Sequence, residues 1–389
     1  MISPLSSLRL LDLSRLLPGP NTTRLHADLG ADVIKIETPL LGDYAREAPP
    51  KFGGMTMFEM LNRGKQSVAV NYRNKQGREI FLKLAETADI IVETFKPGSV
   101  DKWGIGYEAV RTINPRIIYC ALSGYGQTGP YATRPGHDLN YIAIGGLLGL
   151  TGTPESGPVF FAAQIADLGG ATFAALHILA ALLQRAQTGE GQYIDAAMLD
   201  PIVHWVLPTL GSQYFGTGVV PERGRLPLAG GWPSNNVYAT ADGRHLTLGA
   251  LEPPFWSEFC RITGRNDLLP HAFDPAHIST VAKIFQQKTA DEWLNIFDGV
   301  DCPLELVLTL PEMLRHEQVL HRGLAGVDDP KQPSTPRLES PFPYPPREGP
   351  APTLGRDTRA VLESAGYSPE EIAQFAEKKI IKLVDEPIN

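Results

Sequence analysis

Residues 9–37, RLLDLSRLLPGPNTTRLHADLGADVIKIE, place two short apolar runs on either side of a helical pattern. Arg9–Leu13 has the length and composition of a buried strand, and Pro18-Gly19-Pro20 punctuates the chain after it. Asn21 is placed to cap a helix running through Leu29, which Gly30 would end. Val33–Ile36 then reads as a second strand. The unit recurs downstream as strand Val68–Val70, helix Gln76–Ala88 and strand Ile90–Val92. A helix near Tyr107–Ile113 and strand Ile117–Ala121 follow. Strands joined through single helices by short links run parallel, and a parallel sheet is covered on both faces.

The large domain is therefore expected to be α/β and Rossmann-like, although no GxGxxG follows the first strand and the dinucleotide fingerprint is missing. A long helix rich in small residues, Ala162–Gln187, and a strand within Gly191–Leu199 extend it. From about Gly216 the texture shifts to Gly, Pro and turn residues. Val237–Thr240 and His245–Leu248 flank Asp242-Gly243, a hairpin signal. With helices around Pro254–Thr263 and Ser279–Asp298 they make a smaller α+β unit. Pro330–Pro352 reads as an extended linker, and helices at Thr358–Ser364 and Pro369–Lys378 are expected to return to the first domain. The expected division is 1–212 (large α/β domain), 213–328 (small α+β domain) and 329–389 (linker and returning helices). Two domains suit 389 residues, more than one core usually organises.

Hydrophobic residues make up 43% and charged residues 20%, enough to build a substantial core. The net charge of −8 is spread along the chain, which argues for solubility and against a nucleic-acid partner. No uninterrupted apolar run approaches the length of a membrane span, and Gln164, Asp167 and His177 break the nearest one. The opening residues carry no export-signal pattern. Cys120, Cys260 and Cys302 stand far apart without a CxxC, so no disulfide framework and no metal site are expected, and a reducing cytoplasm fits.

Three places carry chemical potential. In Gly136-His137-Asp138, Asp138 precedes an apolar helical run whose first N–H groups lack intrahelical acceptors and suit an oxyanion; a capping residue beside a packed histidine would look the same. Asp167 is a lone carboxylate in FFAAQIADLGGATFAALHILAALL, where an ionised group is costly unless paired. Gly169-Gly170 beside it would leave room for a ligand, which favours a functional role for Asp167 over a mere helix-dipole charge. Glu252, in LGALEPP, sits where a strand turns into a helix, as a catalytic group or a solvated cap. His177 reads as a core histidine, and His204 and Trp205 match no defined spacing. HExxH, GxSxG and Walker patterns are missing.

Six long stretches stand in order along the chain, beginning with LSRLLPGPNTTRLHADLGADVIKIE, LNRGKQSVAVN, ADIIVETFKPGSVDKWGIGYE and NPRIIYCALSGYGQTGPYATRPGHDLNY. IADLGGATFAALHILAALLQRAQTGEGQYIDAAMLD and APTLGRDTRAVLESAGYSPEEI continue the series over nearly the whole chain. On these stretches the chain resembles the family III CoA-transferase superfamily (CaiB/BaiF type), most closely its α-methylacyl-CoA racemase branch. The resemblance implies that His137 and Asp167 exchange a proton at an acyl-CoA α-carbon, with Glu252 orienting His137 and Asp138 helping Asp167. Transferases of the superfamily typically lack the histidine and use the aspartate as a nucleophile, the alternative reading. They often carry a glycine-rich loop, of which Ala229-Gly230-Gly231 is a remnant here.

For the thioester, the resemblance implies that Arg63, Lys65, Lys96 and Lys102 face the CoA phosphates, with Thr94 and Phe95 near the nucleotide or pantetheine. No cofactor beyond CoA itself is implied. Thr38 departs from the pattern, standing where many members have an arginine that holds the nucleotide. The family forms interlaced homodimers, which would bring Glu252 of the partner subunit to His137 and Asp167.

Overall fold

The computed structural model describes residues 2–47, 57–327 and 336–384. In chain order the first part contains β1 (Arg9–Asp12), α1 (Pro18–Asp28), β2 (Asp32–Glu37), α2 (Met57–Asn62), β3 (Gln66–Val70) and α3 (Lys75–Ala85). It continues with β4 (Ile90–Glu93), α4 (Ser99–Lys102), α5 (Tyr107–Ile113), β5 (Ile118–Ser123), α6 (Asp138–Ile144), α7 (Ile165–Thr188) and β6 (Gln192–Ala197). The six strands are parallel in the order β3-β2-β1-β4-β5-β6, the doubly wound arrangement. A short strand, Ile381–Lys382, adds antiparallel to β3 after helices Thr358–Ser364 and Pro369–Glu377.

The apolar runs are continuous because the central strands are buried on both faces. Leu10, Leu11, Ile34, Val68, Ile91 and Ile118 are at most 1% exposed, and each buried side chain of this size contributes roughly 1.5–3 kcal/mol. Val361, Leu362, Ile372 and Ile381 from the C-terminal segment join the same core.

Helix α7 has a length and apolarity that would suffice to cross a membrane, yet it packs against α1, β5 and β6 through Ala171, Ala174, Ile178 and Ala181. Its glycines let the chain that follows β6 pack closely on it. A Cβ on Gly169 would lie 2.6 Å from the Trp205 ring, and one on Gly170 would lie 2.8 Å from the Met198 side chain. His177 lies on the exposed side of α7, not in a core.

Other expectations are revised at the level of helix ends. Helix α1 starts at Pro18 with Leu17 before it, because proline needs no acceptor for a missing N–H in the first turn. Asn21 is thus inside the helix, where its side-chain oxygen accepts from Arg24 at 3.0 and 3.2 Å. The single helix expected over Ser279–Asp298 is two, Ile278–Phe285 and Ala290–Phe297. Thr289 starts the second with a reciprocal Thr289–Glu292 capping box.

The chain divides into two compact units, one of Met1–Gly145, Phe161–Trp205 and Glu317–Asn389, the other of Gly146–Phe160 and Val206–His316. Residues 146–160 group with the second unit, where Arg223 donates to the Gly149 carbonyl at 3.1 Å. That unit contains an antiparallel sheet of Asn235–Ala239, His245–Gly249 and Leu304–Leu306, whose first two strands form the hairpin about Asp242-Gly243. Its core stacks Tyr238, Phe259, Phe285 and Trp256. Of the linker Pro330–Pro352, residues 330–335 lie outside the described residues, and Pro336–Leu338 pairs with Ala325–Val327.

Candidate active site

In a doubly wound sheet the crevice opens at the carboxyl ends of the strands where the winding reverses. Here the reversal falls between β1 and β4. A cavity of about 430 Å³ lies there, walled by Arg15 and Leu16 after β1, Thr94 to Lys96 after β4, Ser123 to Tyr125 after β5, and His137 and Asp167.

His137 immediately precedes α6. Its N–H donates to the Asn140 side chain at 2.9 Å, and the Asn140 N–H returns to the His137 carbonyl at 2.8 Å. Tyr141 Oη donates to the Gly136 carbonyl at 2.5 Å, so the segment bearing the exposed imidazole is fastened on both sides.

Asp167 stands in the first turn of α7 and is partly buried. Burial, then the neighbouring charge of Asp138, pushes its carboxyl up to about 7. Asp138 accepts from the N–H groups of Ala166 at 2.6 Å and Asp167 at 3.2 Å. The residue expected to cap its own helix thus caps the next one, and in doing so sets the charge environment of Asp167.

Thr94, Phe95 and Lys96 line the cavity. Their turn is held by the Arg15 N–H donating to Thr94 Oγ1 at 3.1 Å and the Phe95 N–H donating to Glu93 Oε2 at 2.6 Å. Burial pushes the Glu93 carboxyl up to about 8.

Lys65 does not face a phosphate. It is 1% exposed, and its Nζ donates among Asp12 Oδ2, the Pro20 carbonyl, Thr23 Oγ1 and Asn62 Oδ1 at 2.7–3.1 Å. Four acceptors exhaust an ammonium. Burial pushes this amine down to about 8, while Lys35 and Lys65 overcome burial at Asp12 and hold that carboxyl well below its ordinary range. Arg63 is paired with Asp28 at 2.7 Å, and neither it nor Lys102, which ends α4, lines the cavity. Glu252 is exposed in the second unit, at the start of helix Pro253–Thr263, with no side-chain cap bond.

Two further cations, Arg15 and Arg134, stand in the cavity wall, and no sequence motif marks either. The Arg15 guanidinium lies 4.6 Å from the Phe95 ring centroid and 5.0 Å from that of Tyr44, and Arg134 lies 4.4 Å from that of Tyr131. Neither makes an ion pair among the described residues. Arg15 also borders a small recess that contains Thr38. Position was the available signal, because Arg15 follows β1 directly, at the edge where such sheets bind ligands.

The sheet has the doubly wound α/β arrangement, with a histidine and a carboxylate on the cavity at its reversal point. Residues 5–358 match CoA-transferase family III, and the chain belongs to that family. It is 33% identical over 387 residues to alpha-methylacyl-CoA racemase of Homo sapiens, covering 97% of each chain. It is equally 33% identical over 402 residues to succinyl-CoA:glutarate CoA-transferase of Mus musculus, covering 98% of this chain and 89% of that one. Among solved structures it is similar to a CaiB/BaiF family protein from Brucella suis, with a TM-score of 0.79 and 28% identity over 94% of this chain and 100% of that one.

Proposed function

We propose that this protein is an acyl-CoA α-epimerase, interconverting the (2R) and (2S) forms of a 2-methylacyl-CoA thioester. The observation that supports it is the placement of His137 and Asp167 on the wall of one cavity. Inversion needs a base on one face of the α-carbon and an acid on the other. In one direction Asp167 as carboxylate removes the α-proton, leaving an enolate, and the His137 imidazolium delivers a proton to the opposite face. In the other direction the roles exchange. A carboxyl near 7 suits both roles at neutral pH. The N–H groups that open α6 would receive the enolate oxygen. Glu252 is assigned to stabilise the imidazolium, and no cofactor is required beyond the CoA of the substrate. Arg15, Lys96 and Arg134 are the cations assigned to its phosphates, Arg15 making up for Thr38.

The second reading is CoA transfer, with Asp167 attacking the thioester carbonyl to form a mixed anhydride and then an aspartyl-CoA thioester. Equal identity to a transferase supports it. Incubating a 2-methylacyl-CoA with the protein in D₂O, without free acid, separates the two. Deuterium at the α-carbon by NMR, reduced roughly 10²–10⁴-fold in His137→Ala and Asp167→Asn, is the epimerase outcome. No exchange, with CoA passing to an added carboxylate, would replace it with the transferase.

A further inference from the structure

Two buried charges, Lys35 on β2 and Asp43 in the turn after it, have no part in the chemistry above. Both side chains are 0% exposed, and they pair at 3.0 Å. Taking two charges out of water costs about as much as their pairing returns, and an apolar pair of similar volume would hold the fold as well. The pair calls for another account, and its remaining contacts supply one.

Each partner grips the chain on one side of Arg15. Lys35 Nζ donates to the Ser14 carbonyl at 2.9 Å. Asp43 Oδ1 accepts the Leu16 N–H at 3.0 Å and the Ala45 N–H at 3.0 Å. Asp12, whose Oδ2 lies 3.7 Å from Lys35 Nζ, accepts the Ser14 N–H on Oδ1 at 2.9 Å. The Asp43 N–H donates to Glu37 Oε1 at 2.9 Å, which ties the turn to the strand that carries Lys35. Burial opposes the Lys35 charge, but Asp12 and then Asp43 outweigh it and hold the amine above its ordinary range.

These bonds fix a backbone that the chain would not adopt unaided. Leu16 has a φ of 64°, in the left-handed region that a residue with a Cβ rarely occupies. Such a conformation persists only where its surroundings over-determine it. Arg15 and Leu16 both line the cavity, as does Tyr44, the residue after Asp43, whose ring centroid lies 5.0 Å from the Arg15 guanidinium.

We propose that Lys35 and Asp43 are positioning residues for CoA. Their ion pair holds Ser14, Leu16 and the turn bearing Tyr44 in one arrangement, and so presents the Arg15 guanidinium to a phosphate of the thioester. The inference rests on Arg15 binding a CoA phosphate, as proposed above.

The test titrates the full chain with coenzyme A by calorimetry. Lys35→Met and Asp43→Asn should each weaken binding about tenfold, as should Arg15→Ala. Added to Arg15→Ala, either should cost less than about twofold more, because the contact that they position is already gone. A pair that serves the fold alone has no such coupling to Arg15. Full additivity, or unchanged affinity in both variants, would overturn the proposal. The asparagine can offer its one oxygen to the Leu16 and Ala45 amides or to Lys35, not to both. Asp43→Asn therefore carries the test if circular dichroism shows that Lys35→Met does not fold. Hydrogen exchange in peptides spanning 14–16, read by mass spectrometry without CoA, should be at least about tenfold faster in both variants. Arg15→Ala leaving affinity unchanged beside that faster exchange overturns the phosphate assignment alone. Unchanged exchange overturns the positioning pair itself.

Discussion

Burial beside Asp138 keeps the Asp167 carboxyl near 7, against an ordinary 3.8, and this has consequences for stability as well as chemistry. Between about pH 4 and pH 7 the folded chain holds a proton that the unfolded chain has released, so this group's contribution to stability is lost as pH rises through the window. Asp167→Asn removes the penalty. It should be more stable than the parent at pH 8 by roughly 1–3 kcal/mol, with the difference vanishing below pH 4, as urea unfolding at the two pH values will measure. Arg15 makes a separate prediction. If its guanidinium binds a CoA phosphate, Arg15→Ala should raise KM for the thioester about 10–100-fold and leave kcat nearly unchanged in steady-state kinetics. The types of these residues were legible in the sequence, and so was the oddity of a carboxylate at position 167. What Asp138 does was not, because the N–H groups from which it accepts lie 28 and 29 residues further along the chain.

At the scale of elements, α7 depends on its first turn. Asp138→Ala should cost about 1 kcal/mol of stability through the lost cap, whereas Asp138→Asn retains an acceptor and removes only the charge. Both should move the Asp167-dependent limb of the pH–rate profile for exchange to lower pH, because both remove a neighbouring negative charge. A cap without electrostatic influence would leave that limb unmoved. The alternation of strands and helices could be read from apolar periodicity, as could the hairpin about Asp242-Gly243, because local sterics and backbone geometry set both. The helix ends were harder. Pro18 outweighed Asn21 as a start signal, and the Thr289–Glu292 capping box was present in the sequence but subordinate to a longer apolar pattern.

For the whole molecule, the proposed homodimer can be tested by complementation. If one chain's His137 works with Glu252 of the partner subunit, co-expressing His137→Ala chains with Glu252→Gln chains places one intact site in every mixed dimer. About a quarter of parental exchange should return, since half of randomly formed dimers are mixed and half of their sites are intact. If both residues act within one chain, no activity returns. By itself the sequence determined the α/β class, the family and the chemical types available for a thioester, because periodicity and long ordered motifs are properties of the chain alone. Only the tertiary structure decided which cations line the cavity. Lys65 and Arg15 look alike as isolated letters, but the pairing of β1, β2 and β3 surrounds Lys65 with Asp12, Thr23 and Asn62. The reversal of winding at β1 leaves Arg15 in the cavity wall. Burial and partnership are set by residues far away in sequence, and no local pattern carries them.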